Sequence, residues 1–272
     1  MEPAIEQRLR RRPWLVPFLT AVTGLALYAA LAACLFLYRA GHPSIIVLSG
    51  LLAHAIMVVW VHDGAHRSIT RGPADRWIVS IAAGLLLMPL YGEAFRKYHL
   101  LHHKHTNTRH DPLFSPGKVR LFQRHRLVYM ALDVIPMLLT FACPAELPEI
   151  PPGETDHWRI ERRYLCAGLI ASGLVIALAL PDLGFCAGTI VSLYAWATVR
   201  DWCEHFGPDP RGFANAYRFP LGMGIGNHGA HHDHPSLSWI AMALGLRERP
   251  KVTGPLRAAW RMARGEITHY MA

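Results

Sequence analysis

Long apolar runs separated by short polar segments dominate the first quarter of the chain. Residues 14–38 form an uninterrupted apolar stretch, and after the short turn at residues 39–43 a second apolar run covers residues 44–61. A helix needs about 20 apolar residues to cross the roughly 30 Å hydrocarbon core of a bilayer. The two runs therefore predict a pair of transmembrane helices joined by a tight hairpin.

The second half of the chain repeats this pattern more weakly. Residues 164–180 and 184–199 are apolar and are separated by a Pro-Asp-Leu-Gly turn, so we predict a third and a fourth span there. Both are short for a bilayer, and we expect each to extend by a turn into its flanks. The fourth span, continued as a helix, carries Asp201 and His205 beyond the membrane.

Two apolar segments between these pairs are poor candidates for spans. Residues 77–91 are short and end in a Met-Pro turn, which favours an interfacial or re-entrant helix. Residues 127–143 are interrupted by Asp133 and Pro136, and we predict an interfacial or broken helix there. The count of crossings supports both interpretations, because a full crossing at residues 77–91 would separate the histidine-rich segments between the two membrane faces.

Composition and charge place the chain in a membrane rather than on nucleic acid. Hydrophobic residues make up 52% of the sequence and charged residues only 17%, against about a quarter in soluble domains. The net charge of +9 comes from arginines that flank apolar runs, beginning with Arg8, Arg10, Arg11 and Arg12, as expected for the cytoplasmic side of a membrane protein. The predicted fold class is all-α: an integral membrane protein with four transmembrane helices, interfacial helices and a cytoplasmic histidine-rich cap, in a single domain covering residues 1–272.

Histidines recur at intervals that suit metal binding. One cluster has two histidines four residues apart, and two clusters have the spacing i, i+3, i+4; residues three or four apart share a face of a helix. Together with one single histidine they give nine imidazoles, which exceed the six positions around one octahedral ion, so the pattern predicts two metal ions. The candidate ligands are His62, His66, His99, His102, His103, His205, His228, His231 and His232.

Spacing does not identify the metal or the residues that surround its ligands. Imidazole binds zinc, copper, iron and nickel alike, but nitrogen-rich sites beside a lipid phase favour iron with O₂. Neutral imidazoles leave the charge of two divalent ions unbalanced, so we expect nearby carboxylates to accept hydrogen bonds from the outer ring nitrogens. The candidates are Asp63, Asp111, Asp201, Glu204 and Asp233, of which Asp111 and Asp201 are preferred. We leave His54 outside the site and place His105, His110 and His234 around it or on the surface.

The motifs that contain these histidines carry a family resemblance. HDGAH, HLLHHKHTNTRHDP and NHGAHHDHP, in this order and with these gaps, resemble the three histidine boxes of membrane fatty acid desaturases, a superfamily that includes lipid hydroxylases and carotenoid-modifying enzymes. The segment EHFG at residues 204–207 resembles an extra ligand found before the third box in bacterial members. The resemblance covers residues from about 54 to 240. It implies four transmembrane helices and a cytoplasmic di-iron centre held by the nine histidines.

The resemblance also implies a reaction, and one residue departs from the family pattern. The family uses O₂ to attack unactivated C–H bonds, so we expect a desaturase of a lipid acyl chain with two Fe²⁺ ions and O₂ as co-substrate. A lipid or carotenoid hydroxylase or ketolase is the alternative, and a membrane metal-binding or transport protein is a more remote one, since transport needs ligands inside the spans. Related animal enzymes have an asparagine that holds a water on one iron where this chain has Asp201.

Partners and location follow from the same interpretation. The sequence contains no cytochrome or ferredoxin motif, so we expect a separate electron donor of the ferredoxin, rubredoxin or cytochrome b5 type. Arg96, Lys97, Lys104 and Arg200 are basic residues that could steer an acidic donor. We expect a bacterial inner-membrane location with the histidine boxes on the cytoplasmic side. We predict no other cofactor, and we assign no catalytic side chain beyond the metal centre.

Overall fold

A computed structural model describes residues 4–106, 108, 110–111, 116–133, 161–179, 182–206, 214–219, 221–245 and 254–266. These residues are mainly helical, which confirms the predicted all-α class for the part of the chain that is described. One isolated antiparallel bridge joins Ala216 and Asn227. The helices are α1 (Ala4–Arg10), α2 (Leu15–Arg39), α3 (Ile45–Ala65), α4 (Ala74–Leu85), α5 (Tyr91–His105), α6 (Pro116–Arg124), α7 (Arg126–Asp133), α8 (Arg162–Ala179), α9 (Leu183–His205), α10 (His228–Asp233), α11 (Trp239–Gly245) and α12 (Pro255–Ala263).

Where they are described, the predicted apolar runs lie mainly in helices, but these helices differ in length and hydropathy. Among the described residues, α2 and α3 are the two helices long and apolar enough to cross a membrane. Helices α8 and α9 lie where the third and fourth spans were predicted, and α9 continues through Asp201 to His205 as expected. Of the predicted segment 127–143, only the part up to Asp133 is described, as helix α7; the rest of the segment lies outside the described residues.

Helix α3 is at the centre of the bundle, and glycines allow its neighbours to approach closely. A Cβ added at Gly24 of α2 would lie 2.2 Å from the Trp60 ring, and one added at Gly50 of α3 would lie 2.2 Å from the Ser192 hydroxyl of α9. Small residues at helix crossings let backbones pack tightly where there is little hydrophobic driving force between helices. The hydroxyls of Ser49 and Thr189, 2.8 Å apart, add a polar contact to the α3–α9 crossing.

Helices α4 and α5 form a hairpin that packs against α8. The α4–α8 crossing is tight, because a Cβ at Gly84 would lie 2.3 Å from the Gly168 carbonyl oxygen, and the Ser172 hydroxyl donates to the Gly84 carbonyl at 2.8 Å. The chain then turns at residues 86–90, where Leu87 adopts a left-handed φ of 60°. The predicted helix at residues 77–91 is therefore a shorter helix followed by a turn, and α5 returns from that turn toward the histidines.

The end of α3 departs from regular α-helical geometry just before the first candidate ligands. Residues Met57–His62 are π-helical, and all but one of them are buried. Such segments are rare and frequently occur at functional sites, because the extra residue in the turn changes the direction of the following side chains. Here the segment ends at His62, so it sets the direction in which the pair His62 and His66 points.

The packing of α3 on α9 gives a direct test with a matched control. Gly50→Ala places a methyl group 2.2–2.6 Å from side-chain and backbone atoms of Ser192, and overpacking of this kind costs about 1–3 kcal/mol. Gly173→Ala on α8 meets no atom within 4 Å, and alanine is the better helix former. We expect the thermal midpoint of the detergent-solubilised protein to fall for Gly50→Ala and to stay level or rise for Gly173→Ala. Equal shifts in both variants would contradict this packing.

Candidate metal centre

Four separate elements bring the nine candidate histidines together at one end of the bundle. The pair on α3, the triad on α5, the last residue of α9 and the triad on α10 all point inward. Their ring nitrogens form two groups, in each of which the atoms lie within 4.8 Å of one another. The first group is His62, His66, His99, His103 and His231, and the second is His102, His205, His228 and His232.

Each triad contributes to both groups. On α5, His99 and His103 reach the first group and His102 the second, whereas on α10 the pair His228 and His232 reaches the second group and His231 the first. The i and i+4 members of a triad share one direction, and the i+3 member points away by part of a turn. Helices α5 and α10 therefore each place two imidazoles in one group and one imidazole in the other.

In the first group the Nε2 atoms converge at distances close to 3 Å. His62 Nε2 lies 3.0 Å from His231 Nε2, which in turn lies 3.0 Å from His103 Nε2. His99 Nε2 lies 3.2 Å from His103 Nε2 and 2.9 Å from His66 Nε2. Five ring nitrogens thus point at a common centre.

The second group has the same character. His228 Nε2 lies 3.4 Å from His205 Nε2 and 3.2 Å from His232 Nε2. His102 is only 1% exposed, and its Nε2 has no hydrogen-bond partner among the described residues. A buried polar atom without a partner costs free energy, so its direction toward three other imidazoles indicates a ligand role.

These distances fit metal binding better than hydrogen bonding. His62 and His102 each use Nδ1–H to donate to a carboxylate, which leaves a lone pair on Nε2. Lone pairs that face each other repel unless a cation lies between them. With metal–nitrogen bonds of about 2.1 Å, two imidazoles at right angles around one ion have nitrogens about 3.0 Å apart. Each group could therefore hold one metal ion.

Two of the expected carboxylates lie directly behind histidines. Asp111 is fully buried, and both of its oxygens are 2.9 Å from His102 Nδ1. Asp63 accepts from His62 Nδ1 at 3.3 Å and from the Trp239 backbone N–H at 2.6 Å. A carboxylate in this position fixes the tautomer and orientation of a ligating imidazole.

Glu204 supports the second group through a buried network. Its Oε1 lies 3.3 Å from His228 Nδ1 and 3.2 Å from the Arg200 guanidinium, and it also accepts from the Tyr217 hydroxyl. Burial raises the pKa of the Glu204 carboxyl to about 7, although Arg200 opposes the shift. Sequence proximity to His205 pointed to Glu204, but the structure shows that the imidazole next to it is His228.

Thr106 is a further partner that the sequence interpretation missed. Its hydroxyl donates to the His102 carbonyl at 2.6 Å and lies 3.2 Å from His232 Nδ1. Since its hydrogen is used on the carbonyl, the oxygen is free to accept from the His232 ring. Its position four residues after His102 on α5 was the available signal.

The other expected carboxylates have different surroundings. Asp233 is exposed on α10. Asp201 lies on the cavity described below, with an oxygen within 4.8 Å of ligand atoms of Glu204 and His205, and burial raises its pKa to about 7. The structure therefore separates the buried carboxylates behind the histidines from the half-buried Asp201 and the exposed Asp233.

The histidines left out of the site also lie outside both groups. His54 is buried on α3, and its ring packs on Phe219 with centroids 4.9 Å apart. His105 and His110 contact each other, with ring centroids 5.7 Å apart. His234 follows α10 and is half-buried.

Burial lowers the pKa of most of the grouped imidazoles and so keeps them neutral. Burial and neighbouring imidazoles lower the pKa of His99, His228 and His231 well below the usual value for histidine. The same causes lower the pKa of His66 and His232 to about 3. Metal ions bind the unprotonated ring, so at neutral pH the groups are ready to bind cations without first losing protons.

A cavity of about 380 Å³ runs between α5 and α9 beside both groups. Its lining is mostly apolar and includes the charged side chains of Lys118, Asp133, Arg200, Asp201 and Glu204. This volume lies in the range of small-molecule sites, about 300–1,000 Å³. The cavity is lined by Tyr91, Ala94, Phe95, Tyr98, His99, His102, Lys118, Asp133, Tyr194, Ala197, Thr198, Arg200, Asp201, Glu204, His205 and His228.

The contact between Asp111 and His102 predicts a loss of metal affinity. Asp111→Asn removes the anionic acceptor behind His102, and loss of such a partner typically lowers metal affinity by about 10–100-fold. Asp233→Asn is the matched control, because this carboxylate adjoins a candidate ligand in sequence but is exposed. The measurement is competition for the bound metal with a chelator of known affinity. Equal affinities of the two variants would rule out the supporting role of Asp111.

The lowered histidine pKa values predict acid sensitivity of the metal-free protein. Unfolded histidines have a pKa of about 6.5, whereas His66 and His232 titrate near 3 in the fold. Between these values the unfolded state binds more protons at these histidines, and folding stability falls as the pH falls through this window. The raised pKa values of Asp201 and Glu204 act in the opposite direction, but the histidines with a lowered pKa outnumber these carboxyls. We expect the thermal midpoint of chelator-treated protein to drop steadily from pH 6.5 downward. A midpoint that rises on acidification would contradict buried neutral imidazoles.

Comparison with known proteins agrees with this geometry. A search of curated proteins gave no match. The family described as fatty acid desaturase matches residues 37–248, which is 212 of the 272 residues. The matched segment contains all nine grouped histidines and most of the cavity wall. The chain therefore belongs to the fatty acid desaturase family.

Proposed function

We propose that the protein is a membrane di-iron oxidoreductase that desaturates a lipid acyl chain with O₂. The observation that carries this proposal is the pair of converging imidazole groups beside a largely apolar cavity. Family membership supports an oxidoreductase. Two Fe²⁺ ions, one held by each group, would supply together with O₂ the oxidising power needed to remove hydrogen from an unactivated C–H bond.

The chain's own residues would hold the ions and position the substrate. The five-histidine group and the four-histidine group offer neutral nitrogen ligands, and Asp63, Asp111 and Glu204 orient three of them. The smaller group lies next to Asp201. Near neutral pH the Asp201 carboxyl can hold or release a proton at the cavity wall, since burial raises its pKa to about 7.

The cavity has the shape expected for an extended hydrocarbon chain. It follows α5 from Tyr91 to His102 and α9 from Tyr194 to His205, and eleven residues of helix correspond to about 16 Å. A chain lying in it passes beside both histidine groups. Aromatic rings such as Phe95, stacked on His99 with centroids 4.6 Å apart, exclude water and restrict the chain to few positions, which favours reaction at one bond.

The proposed membrane placement uses four helices. Large apolar side chains are exposed on α2, α3, α8 and α9, although α2 and α3 are the only helices among the described residues that meet the length and composition of a span. Exposed apolar faces of this extent need a lipid or protein partner. Arginines before α2 and at the start of α8 favour a cytoplasmic position for the histidine-rich cap. We place the protein, as a single domain, in the inner membrane of a bacterium. The exposed side chains are Phe18, Val22, Leu25, Phe36, Leu37, Val47, Leu48, Leu169, Ile170, Leu174, Ile176, Leu178, Leu183 and Val191.

A separate protein would deliver the electrons. Burial distinguishes the basic residues that could contact this donor from those that could not. Arg96 is buried and pairs with Glu93 at 3.2 Å, and Arg200 is held beside Glu204. Because these two arginines are paired inside the protein, we no longer propose that they steer the donor. Lys104 is exposed and Lys97 half-exposed on α5, so these lysines are the better candidates for contact with an acidic donor of the ferredoxin, rubredoxin or cytochrome b5 type.

Lipid mass spectrometry of an expressing host tests the reaction directly. We expect acyl chains lighter by two hydrogens in cells that express the wild type and an electron donor. His102→Ala should abolish this product, because it removes a buried member of the second group. His105→Ala on the same helix is the matched control and should retain the product, since His105 lies outside both groups.

The other possible lipid compositions have separate meanings. Acyl chains heavier by one oxygen atom would indicate hydroxylation rather than desaturation at the same centre. Product from His102→Ala at the wild-type level would remove this histidine from the site. Unchanged lipids with both the wild type and a functional donor would contradict the acyl-chain substrate and leave carotenoid oxidation or metal transport to be tested.

A further inference from the structure

Two short helices outside the histidine cap present an apolar face that no described residue covers. On α7, Leu127 and Val128 are 64% and 51% exposed, and on α12, Leu256 and Trp260 are 73% and 62% exposed. The helices are neighbours, because a Cβ at Gly265, just after α12, would lie 2.9 Å from the guanidinium of Arg126, the first residue of α7. We define the α7–α12 face by Leu127, Val128, Leu256 and Trp260.

The opposite sides of both helices are fixed to α9 near one level. The Asp133 carbonyl at the end of α7 accepts from the Thr198 hydroxyl at 3.0 Å, and the Asp133 carboxylate accepts from Trp202 Nε1 at 2.7 Å. On α12, Ala258 packs in a cluster with Cys203. These contacts lie on α9 between residues 198 and 203, close to residue 199, where the fourth apolar run ends. Both helices are therefore placed at the level where α9 leaves the proposed membrane.

Basic side chains flank the apolar face of α12. Arg257 and Arg264 are exposed, and Arg261 is half-exposed. The Arg264 guanidinium lies 5.8 Å from the centre of the Trp260 ring, while Glu266 pairs with Arg261 and Arg264 at 3.3 and 3.6 Å. An apolar stripe with tryptophan, bordered by arginines, is the pattern of a helix that lies in the headgroup layer of a membrane.

We propose that the α7–α12 face lies in the headgroup region of the membrane that holds the spans, with anionic phospholipids as its partner. This rests on the proposed function, which places α9 in that membrane. The net positive charge of α12 complements anionic headgroups, and tryptophan is enriched at the interface. A lipid layer is also continuous with the exposed apolar faces of α8 and α9, whereas a protein partner would need to cover Trp260 separately.

The contact has a consequence for the substrate. Asp133, at the end of α7, also lines the cavity beside the histidine groups. With α7 seated among headgroups, this wall of the cavity lies at the level of the headgroup layer. The polar end of a lipid substrate would then lie near Asp133 and Lys118, which both line the cavity.

Depth-dependent quenching of tryptophan tests the contact in the intact protein. The emission of Trp260 is obtained as the difference between wild type and Trp260→Phe, reconstituted in vesicles of neutral and anionic phospholipids. Trp260→Tyr gives a second, independent difference. Lipids brominated near the carbonyl end of their chains should remove most of this emission, and aqueous iodide should remove little. Trp14→Phe supplies the matched control, because Trp14 is 60% exposed immediately before α2.

The pattern of quenching separates the alternatives. Quenching of Trp260 by iodide but not by brominated lipid, with Trp14 quenched by lipid, would overturn the contact while leaving the membrane placement intact. Protection of Trp260 from both quenchers would also overturn it, in favour of a second copy of the chain or another protein. If neither tryptophan responds to brominated lipid, the proposed membrane placement itself fails.

Discussion

Convergence of imidazole lone pairs is the constraint on which the rest of this structure depends. Nine ring nitrogens meet in two groups, several of them about 3 Å apart. Carboxylates beside the outer nitrogens of His62 and His102 favour the tautomer in which the inner nitrogens of these two rings are acceptors. Such an arrangement is unfavourable by itself and becomes favourable when cations occupy the two centres. The fold must therefore hold the histidines in place against their mutual repulsion.

The helical bundle meets this requirement with close crossings rather than with a large polar core. Glycines at positions 50, 84 and 168 let backbones approach within distances that no side chain would permit, and Gly24 leaves room for the Trp60 ring. The π-helical end of α3 and the hairpin of α4 and α5 then aim two histidine motifs at the same region. The same two helices, α5 and α9, carry grouped histidines at their ends and line the cavity, so the cavity and the histidine groups are positioned together.

Sequence patterns predicted the elements better than the contacts between them. The first predicted span, 14–38, corresponds to α2 (Leu15–Arg39), because a long unbroken apolar run favours one continuous helix. Spacing also identified which histidines come together. The division into groups of five and four required three-dimensional placement, since adjacent residues such as His102 and His103 go to different groups. The contact of Tyr217 with Glu204 and that of Thr106 with His232 join chain segments that local patterns do not connect.

The central claim is that each chain holds two iron ions, one in each imidazole group. The most direct measurement is the elemental content of protein purified without added metal, combined with the Mössbauer spectrum of protein grown on iron-57. The account predicts two irons per chain and two spectral components of equal area, because the ligand sets differ. Stoichiometric zinc without iron, or one iron with a single spectral component, would contradict it.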